Sequence, residues 1–197
     1  MKPENCAVFI LAAGLSTRFG EPDKLMTNLG GRPILSHVID TVLPLDLEAR
    51  YGVVPQTSER RRALFLEAGF QVIENPSPEI GVGSSIILAA QTALEEGFEA
   101  ICILLGDMPF TAPSHITGLI EALYDEESSA SVCDETIMPP IALRRSLLPA
   151  LAAISPKAGA KVLLKGENTA YLPLSNQAAQ DIDDPETLAW LNAQTGV

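Results

Sequence analysis

Four short apolar runs, residues 7–12, 51–54, 70–73 and 100–105, alternate with longer segments at 33–42, 56–68, 84–94 and 113–123, whose apolar residues recur every three to four positions. A run apolar at nearly every position suits a strand covered on both faces, and the longer spacing suits an amphipathic helix. Parallel strands need a crossover about as long as a helix. The alternation therefore predicts an α/β fold, a three-layer Rossmann-like arrangement with a mostly parallel sheet flanked by helices. At 197 residues one domain spanning 1–197 is the default. The regularity falters after residue 124. A polar break at 125–129 is followed by one or two strands in 131–143 around Pro139-Pro140, helical patterns at 144–154 and 158–164, a strand at 170–174 and a helix at 185–194. Asp184 suits the N-cap of that last helix and Pro185 its first turn.

Thirteen Lys and Arg against 25 Asp and Glu leave a net charge of −12. Nucleic acid and anionic membrane both demand clustered basic residues, so neither is an expected partner. A single polyphosphate is a different matter, since a few cations and a divalent metal suffice to hold it. Cys6, Cys102 and Cys133 are odd in number and form no CxxC pair, which fits a reduced, cytoplasmic setting better than a disulfide framework. The apolar run near the start is too short for a signal peptide, and no stretch approaches a membrane span.

In open α/β sheets ligands bind beyond the carboxyl ends of the strands. The first predicted strand runs into Leu11-Ala12-Ala13-Gly14-Leu15-Ser16-Thr17-Arg18-Phe19-Gly20 and then Lys24. Small residues let backbone N–H groups approach an oxyanion, Arg18 offers a planar fork and Lys24 a mobile charge. The spacing is neither GxGxxG nor a Walker A loop. The fourth strand ends in Gly106-Asp107-Met108-Pro109, placing a hard carboxylate at the same edge, suited to Mg²⁺ or to a turn. Residues 75–85, NPSPEIGVGSS, precede a helix whose N-terminus can hold a phosphate or be capped by Ser84. Asp181-Ile182-Asp183-Asp184-Pro185-Glu186 carries more acid than one cap needs. His37 and His115, on helical patterns without a neighbouring motif, read as structural, and Arg60-Arg61-Arg62 as a solvated face.

The strings LAAGLSTRFGEPDKL, NPSPEIGVGSS, LLGDMPF, AGAKVLL and DIDDPETL, in this order, resemble the MobA-like NTP-transferases, and within them the molybdenum cofactor cytidylyltransferases. The resemblance implies the nucleotide-diphospho-sugar transferase type of fold. It implies that Leu11, Ala12, Ala13, Gly14 and Ser16 contact the nucleotide, that Arg18 and Lys24 hold its phosphates, and that Asn75, Gly81 and Ser85 form a second nucleotide loop. Asp107 would bind Mg²⁺ with Asp183, or less favourably Asp181, as second carboxylate. Ala13 goes with cytosine in this family, so the implied partners are CTP and a phosphorylated acceptor, molybdopterin, with a client molybdoenzyme downstream. The implied reaction transfers CMP from CTP to the terminal phosphate of molybdopterin and releases pyrophosphate. Residues 131–140, SVCDETIMPP, are shorter than the family's acceptor-side segment and lack its His. A sugar or polyol phosphate acceptor therefore stays open, as does a non-catalytic cofactor-binding chaperone.

Overall fold

The computed structural model describes residues 5–15, 19, 23–164, 168–182 and 184–195. Seven strands form one sheet: β1 (Cys6–Leu11), β4 (Ala49–Pro55), β5 (Gln71–Asn75), β6 (Ala100–Leu105), β7 (Ser128–Cys133), β8 (Thr136–Arg144) and β9 (Thr169–Pro173). Their order is β5-β4-β1-β6-β8-β7-β9. Short strands β2 (Asn28–Leu29) and β3 (Arg32–Pro33) pair separately. Every pairing in the large sheet is parallel except those of β8, which runs antiparallel to β6 and β7.

The apolar runs split by alternation. Val8 and Ile10 of β1 face a layer containing Ile34, Leu35 and Val38 of α1 (Ile34–Val42), Phe65 of α2 (Glu59–Glu67), Ile116 and Leu119 of α4 (Pro113–Ala122) and Leu188 and Leu191 of α6 (Pro185–Thr195). Ala7, Phe9 and Leu11 face Ile86, Ala89, Ala90 and Ala93 of α3 (Val82–Glu96) and Leu148 and Leu151 of α5 (Leu148–Ala152). Successive strand residues point to opposite faces, so each run contributes to two cores. The helix expected over 56–68 begins only at Glu59, and the one expected over 84–94 extends from Val82 to Glu96, where Gly97 stops it in a left-handed conformation (φ 80°). The 144–154 pattern is a correction: Arg144 ends β8, a 3-10 turn covers Arg145–Leu147 and only five residues are α-helical. Residues Ala160–Leu163 form a 3-10 turn rather than an α-helix.

The 131–143 region resolves into the β7–β8 hairpin, turned by Asp134 and Glu135 at φ 46° and 63°. Because β6 and β7 both run antiparallel to β8, this turn projects from the edge where β6 ends. The Ser131 hydroxyl donates to the Pro140 carbonyl (2.9 Å) and so accepts from Nε2–H of His115 (2.8 Å), which fits the structural reading of that histidine. His37 likewise donates from Nε2 to the Leu29 carbonyl (2.8 Å).

Burial lowers the His115 pKa from its ordinary value of 6.5. The unfolded chain then binds the proton more tightly, so stability is full above about pH 6.5 and falls as pH drops below it. Chemical denaturation between pH 7.5 and 5 will show this slope, and His115→Gln will reduce it.

Candidate active site

The chain leaves β1 to build β4 and β5 on one side and returns to add β6 on the other. The loops after β1 and β6 therefore diverge at a topological switch point, where open α/β sheets form their crevice. The N–H of Gly106 donates to the Leu11 carbonyl (2.9 Å), tying the loops at their base. A Cβ on Gly106 would stand 3.2 Å from Leu25 and Leu35 and 3.3 Å from Ala12, so only glycine fits without displacing neighbours.

A cavity of about 640 Å³ opens here. Of the expected residues, Leu11 lines it from the end of β1, Ala13 and Gly14 from the loop that follows, Gly81 and Ser85 from the start of α3, and Lys24 and Asp107 complete the set. Ser16, Arg18 and Asp183 lie outside the described residues. Two others stand behind the wall. Ala12 packs into the core beneath the loop, 1% exposed, with its N–H on the Val53 carbonyl (2.8 Å). Asn75 is equally buried: its amide group donates to Ser84 and Ser85 Oγ (both 2.9 Å) and its oxygen accepts the Ser77 N–H (2.9 Å). Asn75 thus shapes the turn before α3.

Ser84 does not cap α3, because its hydroxyl donates to the Gly81 carbonyl (2.7 Å). No side-chain cap is found at that N-terminus among the described residues, and Gly81, Val82 and Ser85 line the cavity there. Free N–H groups and the positive end of a 15-residue helix favour an anion in this place.

Lys24 Nζ meets Asp107 Oδ2 at 2.7 Å, with side chains 10% and 21% exposed. Residues 83 positions apart thereby form one charged unit inside the cavity. Asp107 Oδ1 is buried and has no hydrogen-bond partner among the described residues. A carboxylate oxygen shielded from water and unsatisfied fits a hard divalent cation. The Ile182 N–H donates to the Asp107 carbonyl (3.3 Å), and Ile182 is fully buried, which brings the acidic segment alongside. Asp184 serves as the expected cap, accepting the Thr187 N–H (2.8 Å) and hydroxyl (3.0 Å). The Thr187 N–H bond is the main cause of its lowered pKa. Among the described residues no three His, Cys, Asp or Glu side chains gather as a ready metal cage.

One side chain overturns its expected role. Arg60 and Arg62 are exposed, but Arg61 turns inward, 4% exposed. Its Nη1 donates to the carbonyls of Ala12 (2.6 Å) and Gly14 (2.8 Å), while Nε and Nη2 grip Asp23. Only the helical position of residue 61, one face removed from its neighbours, carried a signal in the sequence.

Residues 8–173 match the model of the MobA-like NTP transferase domain. The chain belongs to that family. Bifunctional protein GlmU of Symbiobacterium thermophilum is 31% identical over 139 residues, 70% of this chain and 29% of that protein. A probable molybdenum cofactor guanylyltransferase of Thermococcus sibiricus is 30% identical over 124 residues, 63% of this chain and 58% of that one. The chain thus spans less than two thirds of these relatives, 29% of one and 58% of the other. Among solved structures, Rv0371c of Mycobacterium tuberculosis H37Rv superposes with TM-score 0.79 at 19% identity, covering 96% of this chain and 98% of its own. The same protein solved in complex with manganese gives TM-score 0.71 at 17% identity, with 96% and 98% coverage. These structures share the fold, the mostly parallel sheet flanked by helices that the sequence predicts. No helix among the described residues is long and apolar enough to cross a membrane.

Proposed function

We propose that this MobA-like chain is a divalent-metal-dependent nucleotidyltransferase that moves CMP from CTP to the terminal phosphate of molybdopterin. The observation that carries the reading is the Lys24–Asp107 pair lining the cavity, with one Asp107 oxygen buried and unsatisfied among the described residues. A protein that merely carried a finished cofactor would have no use for a cation and a carboxylate paired in a cavity beside the N-terminus of a long helix. The match to a family of NTP transferases and the guanylyltransferase relative support both the reaction class and the acceptor.

A terminal phosphate oxygen of the acceptor attacks the α-phosphorus of CTP. The bond from that phosphorus to the bridging oxygen breaks, and pyrophosphate leaves with the electron pair. The nucleophile is already an anion, so no covalent enzyme intermediate is needed. The task left to the protein is to bring two repelling anions into line and to offset charge as it moves to the leaving group. Lys24 supplies a mobile ammonium, the α3 N-terminus supplies fixed N–H dipoles, and Ala13 and Gly14 leave room for base and ribose. Arg18 adds a second cation to this reading. Mg²⁺ held by Asp107 and Asp183 would supply further neutralisation at the phosphates.

Ala13 lines the cavity and supports cytosine, although the relative at 30% identity is named for guanylyl transfer. A thermal-shift panel of CTP, GTP, ATP and UTP, each with and without Mg²⁺, decides the base, since a ligand of the native state raises the melting point. CTP with Mg²⁺ is expected to give the largest shift. A shift with GTP alone overturns the base assignment, and no shift with any nucleotide returns the chain to a carrier. The acceptor is tested by pyrophosphate release with molybdopterin against sugar and polyol phosphates. The β7–β8 hairpin, short and set at the same sheet edge, is the feature that keeps the latter acceptors in the assay.

A further inference from the structure

We propose that Arg61 is the positioning residue of the nucleotide loop, setting both the direction of its backbone N–H groups and the aim of Lys24. This rests on reading the cavity as a nucleotide site. A buried guanidinium is costly unless its donors are used, and those of Arg61 are spent on the two ends of a single loop. At the first end Nη1 holds the carbonyls of Ala12 (2.6 Å) and Gly14 (2.8 Å). A trans peptide directs its C=O and the following N–H oppositely. Drawing both carbonyls toward α2 therefore turns the N–H groups of Ala13 and Leu15 the other way, where Ala13 and Gly14 line the cavity. Neither N–H meets a protein acceptor among the described residues. Paired N–H groups on one side of a loop make an anion-receptive concavity.

At the second end Nε (2.9 Å) and Nη2 (2.6 Å) grip the two oxygens of Asp23. Asp23 Oδ1 also accepts the Leu25 N–H (3.1 Å), capping the 3-10 turn Lys24–Met26. The Thr27 hydroxyl donates to the Asp23 carbonyl (3.1 Å), fixing that turn from its far side. Lys24 is the first residue of the turn, so the Arg61–Asp23 grip decides where its ammonium points. One planar fork thus closes the loop at 12–14 and at 23–25 together. A lysine at position 61 has a point charge and no fork, and cannot serve both ends.

The test compares wild type with Arg61→Met, Arg61→Lys and Asp23→Asn, each first checked for folding by circular dichroism. Two readouts are taken. The first, independent of nucleotide, is the rate at which acetic anhydride acylates Lys24, followed by mass spectrometry against exposed Lys157 and Lys161 as references. The second is the CTP dissociation constant with Mg²⁺ by calorimetry. The expected loss is about tenfold, the lower end of what removing an outer-shell partner does at metal sites. Lys24 is expected to acylate faster in all three variants, with Arg61→Lys failing to rescue. The CTP constant is expected to rise, and to rise less when the same change is made in a Lys24→Ala background. Folded variants that melt lower yet keep wild-type Lys24 reactivity and CTP affinity would show Arg61 to be structural only and overturn the proposal. Should Arg61→Met fail to fold, Asp23→Asn leaves the carbonyl contacts in place and tests the Lys24 end alone, where unchanged Lys24 reactivity and CTP affinity would overturn the proposal. Faster Lys24 acylation in the variants, with no nucleotide bound by wild type, would leave the positioning role standing and remove the nucleotide reading instead.

Discussion

Lys24→Ala is expected to lower nucleotidyl transfer by about 10³-fold, the scale on which removing one preorganised charge-stabilising group acts in a desolvated site. Lys24 is the described cation that lines the cavity, and its partner there is Asp107. Truncation withdraws charge from the phosphates and strips Asp107 Oδ2 of its 2.7 Å contact, while Oδ1 is already buried without a hydrogen-bond partner among the described residues. The stranded carboxylate is expected to destabilise the fold by about 1–3 kcal/mol. The double variant Lys24→Ala/Asp107→Ala separates the two effects. It is expected to melt higher than Lys24→Ala, because the unpaired charge has gone, yet to remain inactive. Pyrophosphate release at saturating CTP and Mg²⁺, with melting curves on the same preparations, provides the check. Wild-type turnover in Lys24→Ala would refute the role given to the ammonium.

The second large effect is on the fold at the cavity wall. A Cβ on Gly83 would lie 2.6 Å from the carbonyl oxygens of Ser155 and Ala158 and 2.7 Å from the carbonyl carbon of Pro156. These neighbours are backbone atoms, so no side-chain rotation relieves the contact. The start of α3 and segment 155–158 must part. Gly83→Ala is therefore expected to cost about 3 kcal/mol, lowering the melting point by about 6–12 °C for a chain of this size. Nucleotide binding should weaken as well, because Gly81, Val82 and Ser85 occupy the same helix start and line the cavity. Gly159→Ala is the matched control, since a Cβ there meets nothing within 4 Å. A Gly83→Ala protein melting within about 1 °C of wild type would mean that the two segments are not in contact in solution.

Legibility in the sequence followed the range over which each signal acts. Strand β6 was readable to the residue, because an uninterrupted apolar run between polar ends has one outcome in a two-sided sheet. The loops after β1 and β6 were readable for a related reason: small residues and a carboxylate at strand ends are local features. Asp184 as the cap of α6 was also local, with its partner three residues away. The pattern at 144–154 misled because apolar spacing alone does not show that Arg144 still pairs with Ala100 across the sheet. Nothing local to Asn75 shows that its amide binds two serines nine and ten residues on, which only packing decides.

The alternation of apolar runs with amphipathic segments thus determined the layered sheet, its mostly parallel sense and the edge at which chemistry-bearing residues collect, since these depend on periodicity and connection length. Tertiary structure alone decided which of those residues meet. Lys24 reaches Asp107 across 83 positions, and Arg61 reaches Ala12 across 49, turning from an apparent surface arginine into the tie that closes the loop. Such pairings arise where strands far apart in the chain end side by side. Burial, in turn, requires that every charge carried there find a partner, and no local pattern of residues records which partner that is.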